Sequence, residues 1–262
     1  MGKFIILGIF IFLIIYGFFI EPNMLVVKNY KIHDDELKGI KIVFAGDFHI
    51  KLKTEKRLAK IVNLINAQNP DIVLSVGDFV NGHNLDMTMP FEDIVFRLKD
   101  IRTKYGFYTV LGNHDYWVDR VNIPKLLQEN GIKVLSNSNT KIKVNGKDLY
   151  IAGVDDLQAG NPDLAKALEN TKNPVILLTH SPDLFVDVPE RVNLTLAGHV
   201  HGGQIRIPFI GAIIVPSAYG NIFSHGLIQR GNKKMIVTKG IGTSILPVRF
   251  NCVPEIDVIE FD

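Results

Sequence analysis

Five short apolar runs in this chain each end in a polar cluster, and this repeated arrangement restricts the fold more than any other feature. The runs read KIVFAG, DIVLSVG, FYTVLG, PVILLTH and NLTLAGH, and the clusters that close them begin at Gly46, Gly77, Gly112, Thr179 and Gly198. Runs of this length and composition predict buried strands. Polar side chains at the carboxyl ends of such strands predict a site along one edge of a sheet.

Segments with helical periodicity separate these strands. EKRLAKIVNLINAQN, FEDIVFRLKDI and IPKLLQENG follow the first three runs, and the first of them aligns Leu58, Ile61, Val62 and Ile65 on one face. This alternation predicts an α/β domain with covered sheets. The chain has 262 residues, which is ample for one large domain. We expect that domain to occupy residues 41–262.

An uncharged apolar stretch opens the chain. FIILGIFIFLIIYGFFI holds no charge over 17 residues and shows no polar face, at the short end of what crosses a bilayer as a helix. A signal peptide is the alternative, but the following EPNMLVV offers no small-x-small cleavage site. We therefore expect residues 1–20 to be a single-pass anchor in the cell membrane, followed by a spacer and an edge strand over residues 21–40. Lysines flank the stretch on both sides, so the side of the membrane stays open.

Charge and cysteine content exclude several classes of function. The net charge is +2 and no basic block is present, so we expect no nucleic-acid partner. The single cysteine, Cys252, excludes an intrachain disulfide and a cysteine-rich zinc cluster, and we expect it to be buried. No sequence feature indicates an obligate protein partner.

The polar clusters contain the residue types that bind metal ions. They read GDFH, GD, GNHD, TH and GHVH, and they hold five of the eight histidines. Any one of them alone is typical of a turn, a helix cap or a hydrogen-bonded core histidine. Burying all of them at the ends of apolar strands is costly unless a multivalent cation satisfies them.

The ligand chemistry narrows the choice of metal. Carboxylates, imidazoles and one amide, without a thiolate, suit manganese, iron or zinc and are richer in nitrogen than a magnesium or calcium site. Seven candidates are too many for one ion that keeps an open position, so two ions that share a carboxylate fit better. The candidates are Asp47, His49, Asp78, Asn113, His180, His199 and His201.

The order Asp-x-His, Gly-Asp, Gly-Asn-His-Asp, His and Gly-His-x-His resembles that of the calcineurin-like metallophosphoesterases, over roughly residues 40–262. Two later segments, GHVHGGQIRIPFIGAIIVPSAYG and GIGTSILPVRFNCVPEI, resemble membrane-associated bacterial phosphodiesterases of that family. The resemblance implies a sandwich of two mixed β-sheets flanked by helices, here preceded by a transmembrane helix. It also implies a phosphoester hydrolase in which two divalent ions hold a bridging hydroxide that attacks phosphorus in line. Of the candidate metals we favour manganese, with iron and zinc as alternatives.

The resemblance further assigns roles to individual residues. One ion would be held by Asp47, His49 and His201, the other by Asn113, His180 and His199, with Asp78 bridging them. His114 would be the catalytic residue that protonates the leaving oxygen or stabilises the transition state. Asp115 would either orient a group at the site or cap a helix.

Two features of the site depend on local geometry. His199 and His201 are adjacent-but-one on a segment that we expect to be extended within a glycine-flanked turn, so both would point toward the metals.

In the phosphatase branch of the family, an acid three positions after the bridging aspartate pairs with the catalytic histidine, and here that position is Asn81. Asp155 and Asp156 could substitute for it, although a solvated turn is the simpler interpretation of both.

The segment IRIPFIGAIIVPSAYGNIF is unusually apolar for a stretch that follows a metal-binding motif. It predicts either a core strand with a packed turn, which we favour, or a lipid-facing lip beside the site. A lip would suit a phosphodiesterase or pyrophosphatase acting on an amphiphilic phosphoester such as UDP-2,3-diacylglucosamine. Arg206 and Arg249 would be either structural or contacts for a second anionic group.

Two other functions are weighed against this one. The first is a phosphomonoesterase for small soluble esters, which the motifs do not separate from a diesterase. The second is a non-catalytic scaffold of the same fold, which predicts damaged motifs, whereas the seven ligand positions and His114 are all intact. A nuclease of this fold would add a DNA-binding region, and the sequence contains no such region.

Overall fold

The computed structural model describes residues 2–82 and 85–262, and its core is a pair of six-stranded β-sheets. The first sheet contains, in spatial order, β1 (Val26–Ile32), β14 (Glu255–Phe261), β2 (Lys41–Ala45), β3 (Ile72–Ser75), β4 (Phe107–Thr109) and β5 (Ile132–Val134). The second contains β12 (Gly226–Arg230), β13 (Lys233–Val237), β9 (Leu194–Ala197), β8 (Val175–Leu178), β7 (Lys147–Gly153) and β6 (Ser138–Val144). A separate two-stranded hairpin consists of β10 (Arg206–Ile207) and β11 (Gly211–Ala212).

Both sheets are mixed. Strands β2 to β5 run parallel, and β14 enters antiparallel to β2 with the edge strand β1 parallel to it. In the second sheet β7, β8, β9 and β13 are parallel, while β6 and β12 close the two edges in antiparallel pairs. The predicted sandwich of two mixed sheets is confirmed, and its parallel strands deliver their carboxyl ends to common edges.

The central strands are buried on both faces, which explains why they are continuously apolar in sequence. In β2, Ile42 and Phe44 pack in the layer between the two sheets, whereas Val43 and Ala45 pack in the layer beneath the helices. Because side chains alternate along a strand, one apolar run serves two cores. Each fully buried Ile or Phe contributes about 1.5–3 kcal/mol to folding.

Helices α2 to α6 cover the outer faces of the two sheets. They are α2 (Glu55–Ala67), α3 (Phe91–Leu98), α4 (Asn113–Asp119), α5 (Asn122–Glu129) and α6 (Leu164–Ala167). The helical face predicted for α2 is confirmed, since its buried residues are Leu58, Ile61, Val62 and Ile65. Helix α4 begins at Asn113, so a polar cluster that ends β4 also opens a helix.

The N-terminal apolar stretch is helical. Helix α1 (Gly2–Ile15) continues through a π turn and a 3-10 turn to Asn23, and none of its own residues is buried. The span Gly2–Asn23 has 22 residues and its most apolar window has a mean hydropathy of 2.6. It is therefore long and apolar enough to cross a membrane.

The end of this helical span is fixed to the domain. Arg249 N donates a hydrogen bond to Gly17 O at 2.9 Å. The carboxylate of Glu21 is fully buried and accepts hydrogen bonds from Asn251 N, at 2.9 Å, and from Cys252 N. Because a buried carboxylate is costly without such partners, these bonds hold the base of the helix at one place on the domain.

Candidate metal centre

The five polar clusters meet at one end of the sandwich, where β2, β3, β4, β8 and β9 end. All of the predicted ligands come together there, and none is more than 9% exposed. They are Asp47, His49, Asp78, Asn113, His180, His199 and His201. The cost of burying so many polar groups therefore has to be met by contacts among them or with a bound ion.

One group of these residues surrounds a pair of imidazoles. His49 Nε2 lies 2.9 Å from His201 Nε2. A carboxylate oxygen of Asp47 and one ring nitrogen of each histidine lie within 4.8 Å of one another. Ligand atoms that bind one ion at about 2.1 Å lie roughly 3 Å apart, so this spacing suits a single cation.

A second group surrounds the side-chain oxygen of Asn113. His180 Nε2 lies 3.0 Å and His199 Nδ1 lies 3.1 Å from Asn113 Oδ1, and the two nitrogens are 3.2 Å apart. His180 Nδ1 lies 2.7 Å from the carbonyl oxygen of Val76, which can only accept a hydrogen bond. The Nδ1 of His180 therefore carries a proton, and in the neutral ring Nε2 presents a lone pair to the group.

Asp78 lies between the two groups. Its Oδ2 is 3.4 Å from His49 Nε2 and 3.3 Å from His180 Nε2. Its Oδ1 accepts a hydrogen bond from His114 N at 2.9 Å. Oδ2 of Asp78 thus faces one histidine of each group. The hydrogen bond to Oδ1 holds the carboxylate in place.

Five of these residues have left-handed backbones, which non-glycine residues seldom adopt. Each such conformation costs on the order of 1–3 kcal/mol, and clusters of them are characteristic of functional sites. The φ angles are 50° at Asp47, 41° at His49, 53° at Asp78, 71° at His199 and 52° at His201. The fold therefore uses strained loops to aim these side chains at a common point.

The predicted extended conformation at His199 and His201 is wrong. Val200 N donates to Gly198 O at 2.8 Å, which closes a tight three-residue turn around His199. Gly198 abuts Asp47 in this turn, and a Cβ on this glycine would lie 2.9 Å from Asp47 Oδ2, so the turn requires glycine here. A second turn around His201 is closed by Gly203 N, which donates to Val200 O at 2.7 Å. Two successive turns, rather than strand alternation, therefore bring both imidazoles to the centre.

Burial and neighbouring charges keep two of the imidazoles, His199 and His201, neutral. Burial and the nearby His180 lower the pKa of His199 to about 3. Burial and His49 lower the pKa of His201 well below its usual value. Neutral rings with convergent lone pairs are the form in which histidine binds metals, so the residues present fit a metal site.

The carboxylates of the centre differ in pKa. Burial raises the pKa of Asp47 to about 7, with Asp78 adding to the rise and His180 opposing it. Burial acts on Asp78 in the same direction, but the surrounding histidines, His180 first, outweigh it and hold the pKa of Asp78 well below its usual value. For His180 burial is likewise outweighed, and Asp78 raises its pKa to about 10. In the metal-free centre, Asp78 and His180 therefore form a buried ion pair.

Asp115 holds the loops of the site together through hydrogen bonds from backbone amides. Its carboxylate accepts hydrogen bonds from Asp78 N at 2.7 Å, Phe79 N at 2.9 Å and Gly112 N at 3.1 Å. It caps the start of α4 and at the same time ties that helix to the loop after β3. Both alternatives from the sequence therefore apply, with the loop as the group that it orients.

His114 faces the cluster with a defined tautomer. Gly82 N donates to His114 Nδ1 at 2.9 Å, so Nδ1 is an acceptor and the ring proton lies on Nε2. His114 Nε2 is 4.0 Å from Asp78 Oδ2 and 3.5 Å from Ser244 Oγ. The backbone amide of Gly82 therefore fixes this histidine, and Gly82 directly follows Asn81, the position at which the phosphatase branch of the family has an acid.

The two acids considered as substitutes have other partners. Asp155 accepts a hydrogen bond from the hydroxyl of Ser136. Asp156 accepts from the backbone amides of Gln158, at 2.9 Å, and Ala159, at 2.7 Å. Both therefore stabilise turns, and Asp156 is fully buried rather than solvated.

The two arginines proposed as substrate contacts are structural. Arg249 is fully buried and donates to carbonyl oxygens of Lys239, at 2.8 Å, and Cys252, at 2.9 Å. Arg206 donates to Gly202 O at 2.8 Å. All three guanidinium nitrogens of Arg249 donate to backbone carbonyls, because the loops beside the site leave those carbonyls without strand partners. Nη1 of Arg206 also donates to the hydroxyl of Ser224, at 3.2 Å, so this contact joins two loops.

An apolar cleft of about 400 Å³ opens directly from the cluster. The predicted core strand in the apolar segment after the GHVH motif is wrong, because the β10–β11 hairpin lies outside both sheets and most of its large apolar side chains are exposed. The packed turn predicted with it is present, since Phe223 at the end of the segment is fully buried in the core. We call the exposed apolar residues beside the cleft the apolar rim, and each is more than half exposed. The rim consists of Ile213, Ile214, Ile245 and Leu246, which line the cleft, together with Phe209 and Ile210 in the connection between β10 and β11.

The sequence reasoning missed several residues around the cluster. Gln158 Nε2 lies 3.0 Å from His199 Nε2, the ring nitrogen that faces away from the cluster. The ring of Trp117 lies 4.9 Å from that of His114 and forms part of the cleft. No pattern in the sequence indicated either residue, because Trp117 is placed by helix α4, which the sequence did not predict, and Gln158 is placed by a turn far away in sequence.

Comparisons with known proteins agree with this geometry. A family model described as calcineurin-like phosphoesterase matches residues 40–203. A Bacillus subtilis metallophosphoesterase, YkuE, is 32% identical over 93% of this chain and 87% of its own length. The Escherichia coli phosphodiesterase YaeI is 29% identical over 94% and 91%, and a zebrafish transmembrane protein with a metallophosphoesterase domain is 31% identical over 85% and 53%.

Solved structures show the same fold at low sequence identity. A 5′-nucleotidase precursor from Thermus thermophilus has a TM-score of 0.50 at 17% identity, over 78% of this chain and 49% of that one. An NAD nucleotidase from Haemophilus influenzae has a TM-score of 0.51 at 15% identity, over 77% and 50%. The family match and the residue clusters together indicate a dimetal site. The chain therefore belongs to the calcineurin-like metallophosphoesterases and is a metal-dependent phosphoester hydrolase.

Proposed function

We propose that this chain is a membrane-anchored, two-metal phosphodiesterase or pyrophosphatase whose substrate carries an apolar tail. The observation that carries the proposal is the apolar cleft that opens from the buried polar cluster. A cleft that is polar at one end and apolar along its walls matches an amphiphilic phosphoester, with the phosphate at the cluster and the tail along the rim. UDP-2,3-diacylglucosamine is one example of this class.

The cluster provides two sets of ligands in this proposal. Manganese is the metal that we propose, because carboxylate, amide and imidazole ligands without thiolates suit it. When bound, the ions supply an activated water and polarise the phosphoryl oxygen. One ion would be held by Asp47, His49 and His201, the other by Asn113, His180 and His199, with Asp78 shared between them.

Two neighbouring groups prepare His180 and His199 as ligands. The carbonyl of Val76 holds the proton of His180 on Nδ1, which leaves Nε2 for a metal. The amide nitrogen of Gln158 lies 3.0 Å from His199 Nε2, and a metal on Nδ1 would require this amide to turn over, so that its oxygen accepts the ring proton from Nε2. The contact to Val76 thus fixes the tautomer that ligation requires at His180, and Gln158 would do the same for His199 after this rotation.

His114 is the residue that we propose to protonate the leaving oxygen. Its Nε2 carries the ring proton because Gly82 N donates to Nδ1 at 2.9 Å. The same Nε2 lies 4.0 Å from Asp78 Oδ2, so the donor faces the shared carboxylate and the space where a phosphoryl group would lie. A positioned acid of this kind contributes about 10²–10⁴-fold to the rate.

The position of α1 supports a substrate drawn from a membrane. The ring of Tyr16, at the end of the helical span, packs edge-on against Phe250 at 6.4 Å. Phe250 also joins the segment that leads into the hairpin, since Arg206 N donates to Phe250 O and Phe250 N donates to Gln204 O, both at 2.9 Å. The base of the helix and the apolar rim are thus attached to the same backbone segment, which would keep the cleft near the lipid surface.

A two-part experiment tests this proposal on the full chain in nanodiscs loaded with manganese. Turnover is compared on bis-p-nitrophenyl phosphate, p-nitrophenyl phosphate and a UDP-linked diacyl sugar. We expect both the diester and the lipid to be cleaved, with the lipid preferred. Preference for the monoester would instead indicate a phosphomonoesterase. A protein that takes up no manganese and cleaves none of the three substrates would indicate a scaffold.

The second part uses Trp117 as a reporter of the cleft. It is the single tryptophan of the chain, lines the cleft and is 52% exposed. We expect brominated acyl chains in the nanodisc to quench its fluorescence. Emission that is unchanged by brominated lipid would contradict a lipid-facing cleft while leaving the diesterase result intact.

A further inference from the structure

A second cavity, separate from the cleft, lies between the base of the α1 helical span and the domain. Its volume is about 160 Å³. Phe18, Pro22 and Asn23 line it from the N-terminal span, and Lys51 and Arg57 line it from the domain. His49 also lines this cavity, but neither Lys51 nor Arg57 has a role in the two-metal proposal, so the reason for these two cations has to be sought separately.

The two cations lack an acidic partner. Among residues 2–82 and 85–262, no carboxylate lies within 4.0 Å of the charged nitrogens of Lys51 or Arg57. Lys51 Nζ donates to Thr243 Oγ1 at 2.9 Å, and Arg57 donates to Ile241 O at 2.8 Å. An ammonium offers three donors and a guanidinium five, so most of their donors are available to a ligand.

Burial makes this arrangement unfavourable without an anion. Both side chains are partly buried, and burial together with the charge of Arg249 lowers the pKa of Arg57 to about 10. At neutral pH Arg57 therefore stays charged, and a second cation lines the same cavity. Two partly desolvated like charges without a counter-ion cost free energy that a bound anion would recover.

We propose that Lys51 and Arg57 form a binding site for a phosphate group at the base of the anchor. Arginine binds phosphate through paired N–H donors and lysine through a point charge, so the two side chains together suit a phosphate monoester or diester. The phosphate can come from an anionic lipid headgroup, since residues of the apolar span line the cavity, or from free phosphate. Basic pockets beside membrane helices are known to take lipid headgroups in this way.

The test uses the full, manganese-loaded chain in nanodiscs of phosphatidylcholine, with or without phosphatidylglycerol. Retained lipid is counted by native mass spectrometry after transfer to detergent, and inorganic phosphate is titrated against the melting temperature in a parallel arm. The variant is Lys51→Gln with Arg57→Gln. The matched control is Lys56→Gln with Lys60→Gln, which removes two exposed cations from helix α2, the helix that carries Arg57.

We expect the wild type and the control to retain phosphatidylglycerol and the double variant to bind it at least about tenfold more weakly. Stabilisation by inorganic phosphate without lipid retention, lost in the double variant, would identify free phosphate as the source. Equal behaviour of wild type and double variant in both arms would overturn the site. The charge-conserving pair Lys51→Arg with Arg57→Lys should keep binding, which separates loss of the site from misfolding.

The lipid arm rests on the proposal that α1 lies in a membrane, whereas the phosphate arm does not. Binding is counted without turnover, so a chain that cleaves no diester would still test the site. Neither cation belongs to the proposed metal centre, and we expect the double variant to hydrolyse bis-p-nitrophenyl phosphate at the wild-type rate.

Discussion

The metal centre and the apolar rim lie side by side but were not equally predictable from sequence. The centre consists of polar side chains that are at most 9% exposed, and the rim consists of apolar side chains that are 55% exposed or more. Each reverses the usual preference of its residue type. Buried polar residues and exposed apolar ones are informative for the same reason, since both indicate that something outside the chain completes the surface.

The difference between the two regions lies in how the sequence encodes them. The centre is encoded by position, because polar residues at the ends of parallel strands must meet wherever those strands are neighbours. The rim is encoded only by composition, and an apolar run has the same composition in a core strand and on an exposed hairpin. Replacing residues in each region should therefore have opposite effects on stability and activity.

The largest expected effect is on catalysis at the centre. His114→Ala should lower kcat on bis-p-nitrophenyl phosphate about 10²–10⁴-fold, because the proton donor for the leaving group is lost. Metal content, measured by mass spectrometry, should stay at the wild-type value. His33→Ala, which removes an exposed histidine, is the control and should leave kcat unchanged. Loss of metal together with activity in His114→Ala would instead make this residue a ligand.

The next effect is on the loops that support the centre. Asp115→Asn should destabilise the fold by about 2–4 kcal/mol, because a buried carboxylate that accepts several backbone hydrogen bonds is replaced by an amide with fewer acceptors. Urea unfolding measures the change. Asp119→Asn alters an exposed carboxylate that also accepts backbone hydrogen bonds and should cost under about 1 kcal/mol. Equal losses in the two variants would contradict the role given to Asp115.

The third effect concerns pH. The raised pKa of Asp47, about 7, and of His180, about 10, mean that both groups hold protons in the metal-free centre at neutral or lower pH. Metals must displace these protons, so apparent metal affinity should rise about tenfold per pH unit for each proton displaced between pH 5 and about 9. Calorimetry in buffers of different ionisation enthalpy measures the protons released.

The same shifts have the opposite sign for stability without metal. A raised pKa stabilises the fold while the group is protonated, and this contribution is lost as pH rises through the folded-state value. Up to about pH 6.5, the loss of stability through Asp47 is opposed by His199 and His201, whose lowered pKa values add stability as pH rises. From about pH 6.5 to pH 10 the metal-free protein should lose stability through His180. Metal-free protein that gains stability over this second window would show that His180 is not protonated in the fold.

The smallest effect on stability is expected at the rim. Ile214→Ser together with Ile245→Ser should change the free energy of unfolding by less than about 0.5 kcal/mol, because both side chains are already exposed. Leu196→Ala, in the layer between the sheets, should cost about 2–5 kcal/mol. The rim variant should keep its rate on bis-p-nitrophenyl phosphate and lose turnover of a lipid substrate in nanodiscs. A large loss of stability in the rim variant would show that these side chains are packed in the core rather than exposed.

Most of the fold and the members of the centre could be predicted from sequence. Continuous apolar runs such as residues 41–46 identify doubly buried strands, and helical periodicity in residues 55–67 identifies their cover. The turn that carries His199 could not be predicted as a strained loop, because left-handed backbone depends on contacts such as that between Gly198 and Asp47. The amide that fixes His114 comes from Gly82, far away in sequence, and no local pattern indicates it.

A count of bound metal ions is the sharpest test of whether the centre holds two ions that share Asp78. The full chain is purified, loaded with manganese, and analysed for metal per protein together with Asp78→Asn, whose carboxylate faces both histidine groups. We expect two ions per chain in the wild type and a loss of both tight binding and diester hydrolysis in the variant. One ion or none in an active wild type, or two retained ions in an active Asp78→Asn protein, would contradict this expectation.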